Sequence, residues 1–140
     1  VIAKNYELIE HTADIGIRVK GNTLKELFIN AALSMFDIIA ETKNEPKARP
    51  KRINIQQKAD NLEELFINWL NELLSLSSAK ELIFDDFKIE KLDENNLEAQ
   101  VFGYDVKDYK VNVEIKAATY HALKLVHVAS GWTAEVIFDV

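Results

Sequence analysis

The sequence predicts an α+β fold in which two helices pack on largely antiparallel sheet. Two segments repeat their apolar residues at helical spacing. The remaining stretches alternate apolar and polar residues, as strands with one buried face do. The order along the chain is strands, helix, strand, helix and then a run of strands, which fits helices laid on antiparallel sheet. At 140 residues the chain reads as one domain, 1–140, long enough to bury a substantial core.

The first strand is marked by Ile15, Ile17 and Val19 alternating with Gly16, Arg18 and Lys20. The first helix follows from Leu24, Leu27, Phe28, Ala31, Met35, Phe36 and Ile39. Asn22 or Thr23 can accept a hydrogen bond from its free first-turn N–H groups, and Glu26 gives Thr23 a capping-box partner. Residues 41–50 read as a linker, because Pro46 and Pro50 oppose both helix and central sheet. Ile53 and Ile55 mark a short strand. The second helix carries Leu62, Leu65, Phe66, Trp69, Leu70, Leu73 and Leu74, capped by Asp60 or Asn61, with Glu63 and Glu64 near its positive end. Ser75, Ser77 and Ser78 weaken it before Lys80. Strands are then expected over 82–92, 97–106, 111–117, 119–129 and 132–138, with turns at Asn95-Asn96 and Ser130-Gly131.

The two helices begin alike. Residues 24–30 read Leu-Lys-Glu-Leu-Phe-Ile-Asn and residues 62–68 read Leu-Glu-Glu-Leu-Phe-Ile-Asn. A duplicated supersecondary unit would explain this. So would the common demand of an amphipathic helix for leucine and phenylalanine at these places.

Composition removes several chemistries. Without cysteine there are no disulfides, thiolate nucleophiles, Cys-type zinc sites or iron–sulfur clusters. No apolar run approaches the ~18 residues of a membrane span, and no signal-peptide pattern opens the chain, so it reads as cytoplasmic. A formal charge of −6 argues against broad binding to a nucleic-acid backbone. A local basic stretch over 43–58 remains, with Lys43, Lys47, Arg49, Lys51, Arg52 and Lys58 beside Glu41 and Glu45. Its ordinary reading is solvated surface. The four glycines are too scattered for a phosphate-cradling loop, and neither Gly-x-Ser-x-Gly nor His-Glu-x-x-His occurs.

The chemistry-bearing residues sit near the two ends. Glu10-His11-Thr12-Ala13-Asp14 precedes the first strand, and Asp139-Val140 follows the last. Alternation places Asp14 with Gly16 and Arg18, and Asp139 with Thr133, Glu135 and Ile137, away from the core. Each is by itself an ordinary surface aspartate. If Val140 is the natural terminus, its α-carboxylate joins them, and three carboxylates brought together would suit a hard divalent cation. Gly16 leaves space for something to approach the backbone. His11 reads as a half-buried hydrogen-bonded histidine, or as a ligand or acid–base group. Lys116 reads as an exposed lysine or as a cation for a phosphate or carboxylate. His121 shares a face with Leu123, Leu125 and His127, which suggests packing; a pairing with His11 is conceivable.

Four stretches together resemble the archease family. They are Glu10-His11-Thr12-Ala13-Asp14-Ile15-Gly16, Leu62-Glu63-Glu64-Leu65-Phe66-Ile67-Asn68-Trp69-Leu70, Lys116-Ala117-Ala118-Thr119-Tyr120-His121 and Val136-Ile137-Phe138-Asp139-Val140, in family order and spanning nearly the whole chain. The visible departure is Ala118, where a branched apolar residue is common. The resemblance implies one strand–helix–strand–strand unit inserted into another. It implies a divalent cation, calcium-like with manganese or magnesium as alternatives, held by Asp14, Asp139 and the Val140 carboxylate. Lys116 matches a family lysine linked to function, and His11 belongs to the motif without being a ligand. The implied role is help to another enzyme, the RtcB-type RNA ligase that joins transfer-RNA halves using GTP and manganese. An archease promotes guanylylation of that ligase, supports its turnover and broadens its nucleotide use. Two other readings stay open from the residues alone: a metal-dependent phosphoesterase-like enzyme using His11 or His121, and an RNA-binding or chaperone-like adaptor using 43–58.

Overall fold

A computed structural model describes residues 6–9, 14–46 and 48–140. In chain order the elements are β1 (Tyr6–Ile9), β2 (Ile15–Gly21), α1 (Leu24–Ile39), β3 (Ala40–Thr42), β4 (Lys51–Lys58), α2 (Leu62–Lys80), β5 (Leu82–Leu92), β6 (Asn96–Asp105), a 3-10 turn (Val106–Asp108), β7 (Tyr109–Val111), β8 (Ala117–Val128) and β9 (Gly131–Asp139). The α+β class is as the sequence predicts.

The expected caps form. Thr23 Oγ1 accepts from the Glu26 N–H at 3.1 Å, and Asn61 Oδ1 accepts from the Glu64 N–H at 2.8 Å. Each satisfies one orphan donor of the first turn. The serines do not end α2 early. It runs to Lys80 and closes on Glu81, which adopts the left-handed conformation at φ 55°. Ser77 Oγ donates to the Leu82 carbonyl there at 2.5 Å, so the hydroxyl ties the helix end to the next strand.

Strand pairing reveals two copies of one topology. The four-stranded sheet has the order β1-β2-β9-β8, the three-stranded sheet the order β4-β6-β5, and β3 pairs with β7. All pairs are antiparallel. One unit is β2-α1-β8-β9, whose last strand lies between its first and second. The other is β4-α2-β5-β6, with the same arrangement. The second unit occupies the chain between α1 and β8 of the first, as the resemblance implies. The numbering offset that pairs Leu24 with Leu62 also pairs Ile15 with Ile53, Ile17 with Ile55 and Lys20 with Lys58.

The helices lie between the sheets. α1 packs on β2 and β9 and also on β5; α2 packs on β4 and β5 and also on β8. Each helix thus bridges both units, and the buried side chains form one core. At its centre the two equivalent phenylalanines of the repeat meet. Phe28 and Phe66 stand edge to face with centroids 5.2 Å apart, both fully buried. The Trp69 indole N–H donates to the Phe28 carbonyl at 2.9 Å, so the largest buried side chain keeps no orphan donor. Phe36, Phe84, Phe87 and Trp69 continue the aromatic contacts outward.

Several boundaries differ from the expectations. Of the strand expected over 111–117 only the ends are in sheet, Val111 closing β7 and Ala117 opening β8. Asn112 and Val113 both donate their N–H groups to the Ile39 carbonyl, at 2.7 and 3.3 Å, so the chain is drawn to the end of α1 instead of into a ladder. Part of the expected linker, Glu41 and Thr42, belongs to β3. The β5–β6 turn is organised by Asp93, whose Oδ1 accepts from the N–H groups of Asn95 and Asn96 at 2.8 Å each. The β8–β9 turn centres on Ala129 and Ser130, one residue earlier than expected. β1 lacks alternation strong enough to read. Its Tyr6 hydroxyl donates to Asp37 of α1 at 2.6 Å.

Two outcomes follow. Phe28→Ala and Phe66→Ala should each cost about 3–5 kcal/mol in urea unfolding. The double variant should cost less than their sum by about 0.5–1.5 kcal/mol, because one edge-to-face contact is lost only once. The second concerns alkaline pH. Burial pushes the Tyr109 hydroxyl up to about 12, with Asp85 adding to the rise, and burial and the bond to Asp37 raise Tyr6. An unfolded tyrosine loses its proton near ~10, so above that pH the native state holds more protons than the unfolded chain. These groups leave stability unchanged below about 10 and lower it as pH rises toward about 12. Urea midpoints at about pH 9 and about pH 11 should diverge, and Tyr6→Phe with Tyr109→Phe should remove most of the difference.

Candidate metal centre

The outer face of the β1-β2-β9-β8 sheet is ordered in rows by strand register. Ile17, Val19, Ala134, Val136 and Phe138 turn inward and are fully buried. Their neighbours turn out. Glu7 faces Arg18, Arg18 faces Glu135, and Glu135 faces Lys124, so one row of alternating charge crosses all four strands. Its contacts are 2.9 Å for Arg18–Glu7, 3.5 Å for Arg18–Glu135 and 3.9 Å for Lys124–Glu135. Glu7 and Lys124 are exposed and Arg18 and Glu135 partly so, so each pair contributes roughly 0–1 kcal/mol and serves register more than stability.

The next row holds Ile9, Gly16, Ile137 and Thr119. The space expected over Gly16 is occupied. A Cβ there would lie 3.1 Å from Ile9 Cβ and 3.5 Å from Ile137 Cδ1, so the glycine lets two isoleucines close over the backbone. The Thr119 hydroxyl donates to the Ile137 carbonyl at 2.9 Å.

Beyond it lies the candidate row. Ile15 faces Phe138, so the antiparallel register, continued by one residue, sets Asp14 against Asp139 on the outer face. Asp14 is half-buried and Asp139 exposed. Val140 follows directly and packs its side chain against the core. On the far side of Asp139 lies Ala117, and the Lys116 N–H donates to the Asp139 carbonyl at 2.8 Å. The exposed Lys116 side chain stands at the rim of an open groove of about 830 Å3 between α2 and residues 112–116. Head, tail and the Lys116 segment therefore meet at one end of one sheet. Among the described residues no group of three or more His, Asp or Glu side chains is arranged to hold a metal. Asp14 and Asp139 are two such side chains, and the third expected donor is a main-chain carboxylate.

The other named residues fall out differently. His11 lies outside the described residues. His121 does not share a packed face with Leu123 and Leu125. Thr119 faces Ile137 and Lys124 faces Glu135, so four residues of β8, 120–123, stand against Val136 alone. Ala122 takes a left-handed φ of 52° within this excursion, which breaks the alternation and leaves His121 exposed. His127, also exposed, stacks on Trp132 with centroids 4.3 Å apart.

One positioning residue escaped sequence reasoning. Asn71 of α2 accepts from the Ala118 N–H at 2.7 Å and donates to the Ala118 carbonyl at 3.1 Å. Its amide takes the place of a neighbouring strand and fixes the start of β8 beside Asp139. The available signal was an asparagine, a poor helix former, in mid-helix beside Leu70 and Leu73.

Comparison with known proteins agrees with this architecture. Residues 6–140 match the archease protein family. The chain is 40% identical to the protein archease of Methanosarcina barkeri, covering 98% of this chain and 97% of the relative. It is 35% identical to that of Pyrococcus furiosus, covering 98% and 99%. The solution structure of Methanobacterium thermoautotrophicum protein 1598 superposes with a TM-score of 0.74 at 30% identity, covering 99% of this chain and all of that one. The crystal structure of an archease, a possible chaperone, from Thermotoga maritima superposes with a TM-score of 0.65 at 25% identity, covering 94% of each. Matched along nearly its whole length in sequence and fold, this chain belongs to the archease family.

Proposed function

We propose that this protein is an accessory activator of an RtcB-type RNA ligase, acting in the cytoplasm through a divalent cation held at the end of the β2–β9 pair. The observation that carries the reading is the register that sets Asp14 against Asp139 in a chain of the archease family. Asp14, Asp139 and the α-carboxylate of Val140 would hold the ion. The donor set fits, since all-oxygen, anionic ligands suit calcium best and magnesium or manganese next. A cation bound there would supply positive charge to organise a triphosphate in the partner's nucleotide site, and its carboxylates would help to organise a metal there. The chain's own residues do the rest. Asp14, the residue before β2, and Asp139, the last residue of β9, would present their carboxylates from the end of this strand pair. Lys116, fixed through its backbone to the Asp139 carbonyl, would supply a cation at this end of the sheet for the partner's phosphate or carboxylate. Asn71 keeps the Lys116 segment in register. The protein supplies no nucleophile in this scheme. It promotes guanylylation of the ligase, so GTP and transfer-RNA halves are the partner's substrates.

Single-turnover guanylylation of the ligase, with and without this protein, tests the reading. The protein should raise the rate, and Asp14→Ala or Asp139→Ala should each remove roughly tenfold or more of the stimulation. Stimulation left intact in both variants would overturn it. The terminal donor has its own test. A Gly-Ser extension after Val140 should weaken calcium binding in calorimetry by roughly tenfold or more, because it replaces a charged carboxylate with a neutral amide.

A further inference from the structure

We infer that the outer face of the β4–β6–β5 sheet binds a short single-stranded nucleic acid. This goes beyond the ligase reading and does not depend on it. The face is open: Leu97, Ala99 and Val101 of β6 turn inward beneath the helices and are buried, while the alternate residues turn to solvent. Although the chain carries −6 overall, four cations, Arg52, Lys58, Lys88 and Lys91, stand in the paired rows of this face with Asp86 and Glu98, and the exposed Asp85 and Glu90 sit at the bulges of β5 beside them. Arg49 and Lys51, both exposed, extend the positive edge past Arg52.

Register then specifies the chemistry. Phe102, half-buried on the central strand, lies between Arg52 and Asp86. The next row places Gln100 between Asn54 and Lys88, and the row after it Glu98 between Gln56 and Lys91. Phe102 is the lone aromatic in these three rows, which are otherwise charged or amide. An aromatic ring on an open sheet face, with Arg52 beside it and Lys88 one row on, is a stacking platform for a base. Asn54, Gln56 and Gln100 offer the paired donors and acceptors that base edges use. Arg52 to Lys58 spans ~20 Å along the exposed edge strand, a track for consecutive phosphates. Duplexes keep their base faces stacked inside, so this chemistry selects a single strand. The offset that relates the two units matches Arg52 to Asp14. The inserted unit therefore presents a cation where the outer unit presents its candidate metal ligand.

Fluorescence anisotropy with a labelled RNA of about twelve nucleotides, the DNA of the same sequence and a blunt RNA duplex tests the inference. The intact protein should bind the single strands, with affinity falling steeply as salt rises. Stronger binding of RNA than of DNA would mean that the 2′-hydroxyl is also read; equal binding would mean that stacking and phosphate contacts suffice. Arg52→Glu and Lys88→Glu should each weaken binding by roughly tenfold or more. Phe102→Ala should weaken it about tenfold with the salt dependence unchanged, and Phe102→Tyr should restore it. Circular dichroism confirms that each variant is folded, and Phe102→Leu replaces Phe102→Ala if that variant is not. No salt-sensitive binding, equal affinity for the duplex, or indifference to the charge reversals would overturn the inference. So would capture of a protein partner, in place of the oligonucleotides, by this face.

Discussion

The pairing of β2 with β9 is the constraint on which the rest depends. One strand lies near the head of the chain and the other near its tail, and the whole inserted unit is threaded between them. Closing so long a loop costs chain entropy, and the contacts formed must offset it. The inner face does this with Ile17, Val19, Ala134, Val136 and Phe138, all removed from water. The alternation that buries these residues dictates what faces out. A slip of one residue would turn every outer group inward, so the apolar pattern protects the charge row and the acidic corner together.

The same topology serves two surfaces. Both units build sheets whose third strand lies in the centre, and both send one helix into the shared layer where Phe28 meets Phe66. Packing demands explain why the inner positions stayed alike, with isoleucines at equivalent places in β2 and β4. Outer positions carry no such demand and, Lys20 and Lys58 apart, they differ: carboxylates end the β2–β9 pair, while cations and amides cover β4. Side-chain hydrogen bonds fill the gaps that strand pairing leaves. Asn71 substitutes for a strand at the start of β8, and Asp93 for a longer turn between β5 and β6.

Most of this was legible in the sequence where one physical rule dominated. The helices were readable because apolar spacing and caps agreed, each start being narrowed to two candidates of which Thr23 and Asn61 form the cap. The facing of Asp14 and Asp139 was readable because each adjoins a clean alternation. Sequence failed where distant groups competed for the backbone. Nothing local in 111–117 announces that the Ile39 carbonyl will claim two of its N–H groups. Nothing in 119–129 announces that 120–123 will stand against one residue, so His121 was placed on the wrong face. Gly16 was read as open space because Ile9, which fills it, belongs to a strand with weak alternation of its own. The meeting of head and tail came from the family likeness and could not come from periodicity, which carries no information about which strands pair.

The central claim is that this fold gathers carboxylates from both ends of the chain onto one cation. A crystal structure of the protein grown with calcium tests it most directly. The account predicts a single ion bound by oxygens of Asp14, Asp139 and the Val140 terminus at about 2.3–2.6 Å. Calcium seated elsewhere on the molecule, or those aspartates turned apart with no ion between them at saturating calcium, would contradict it.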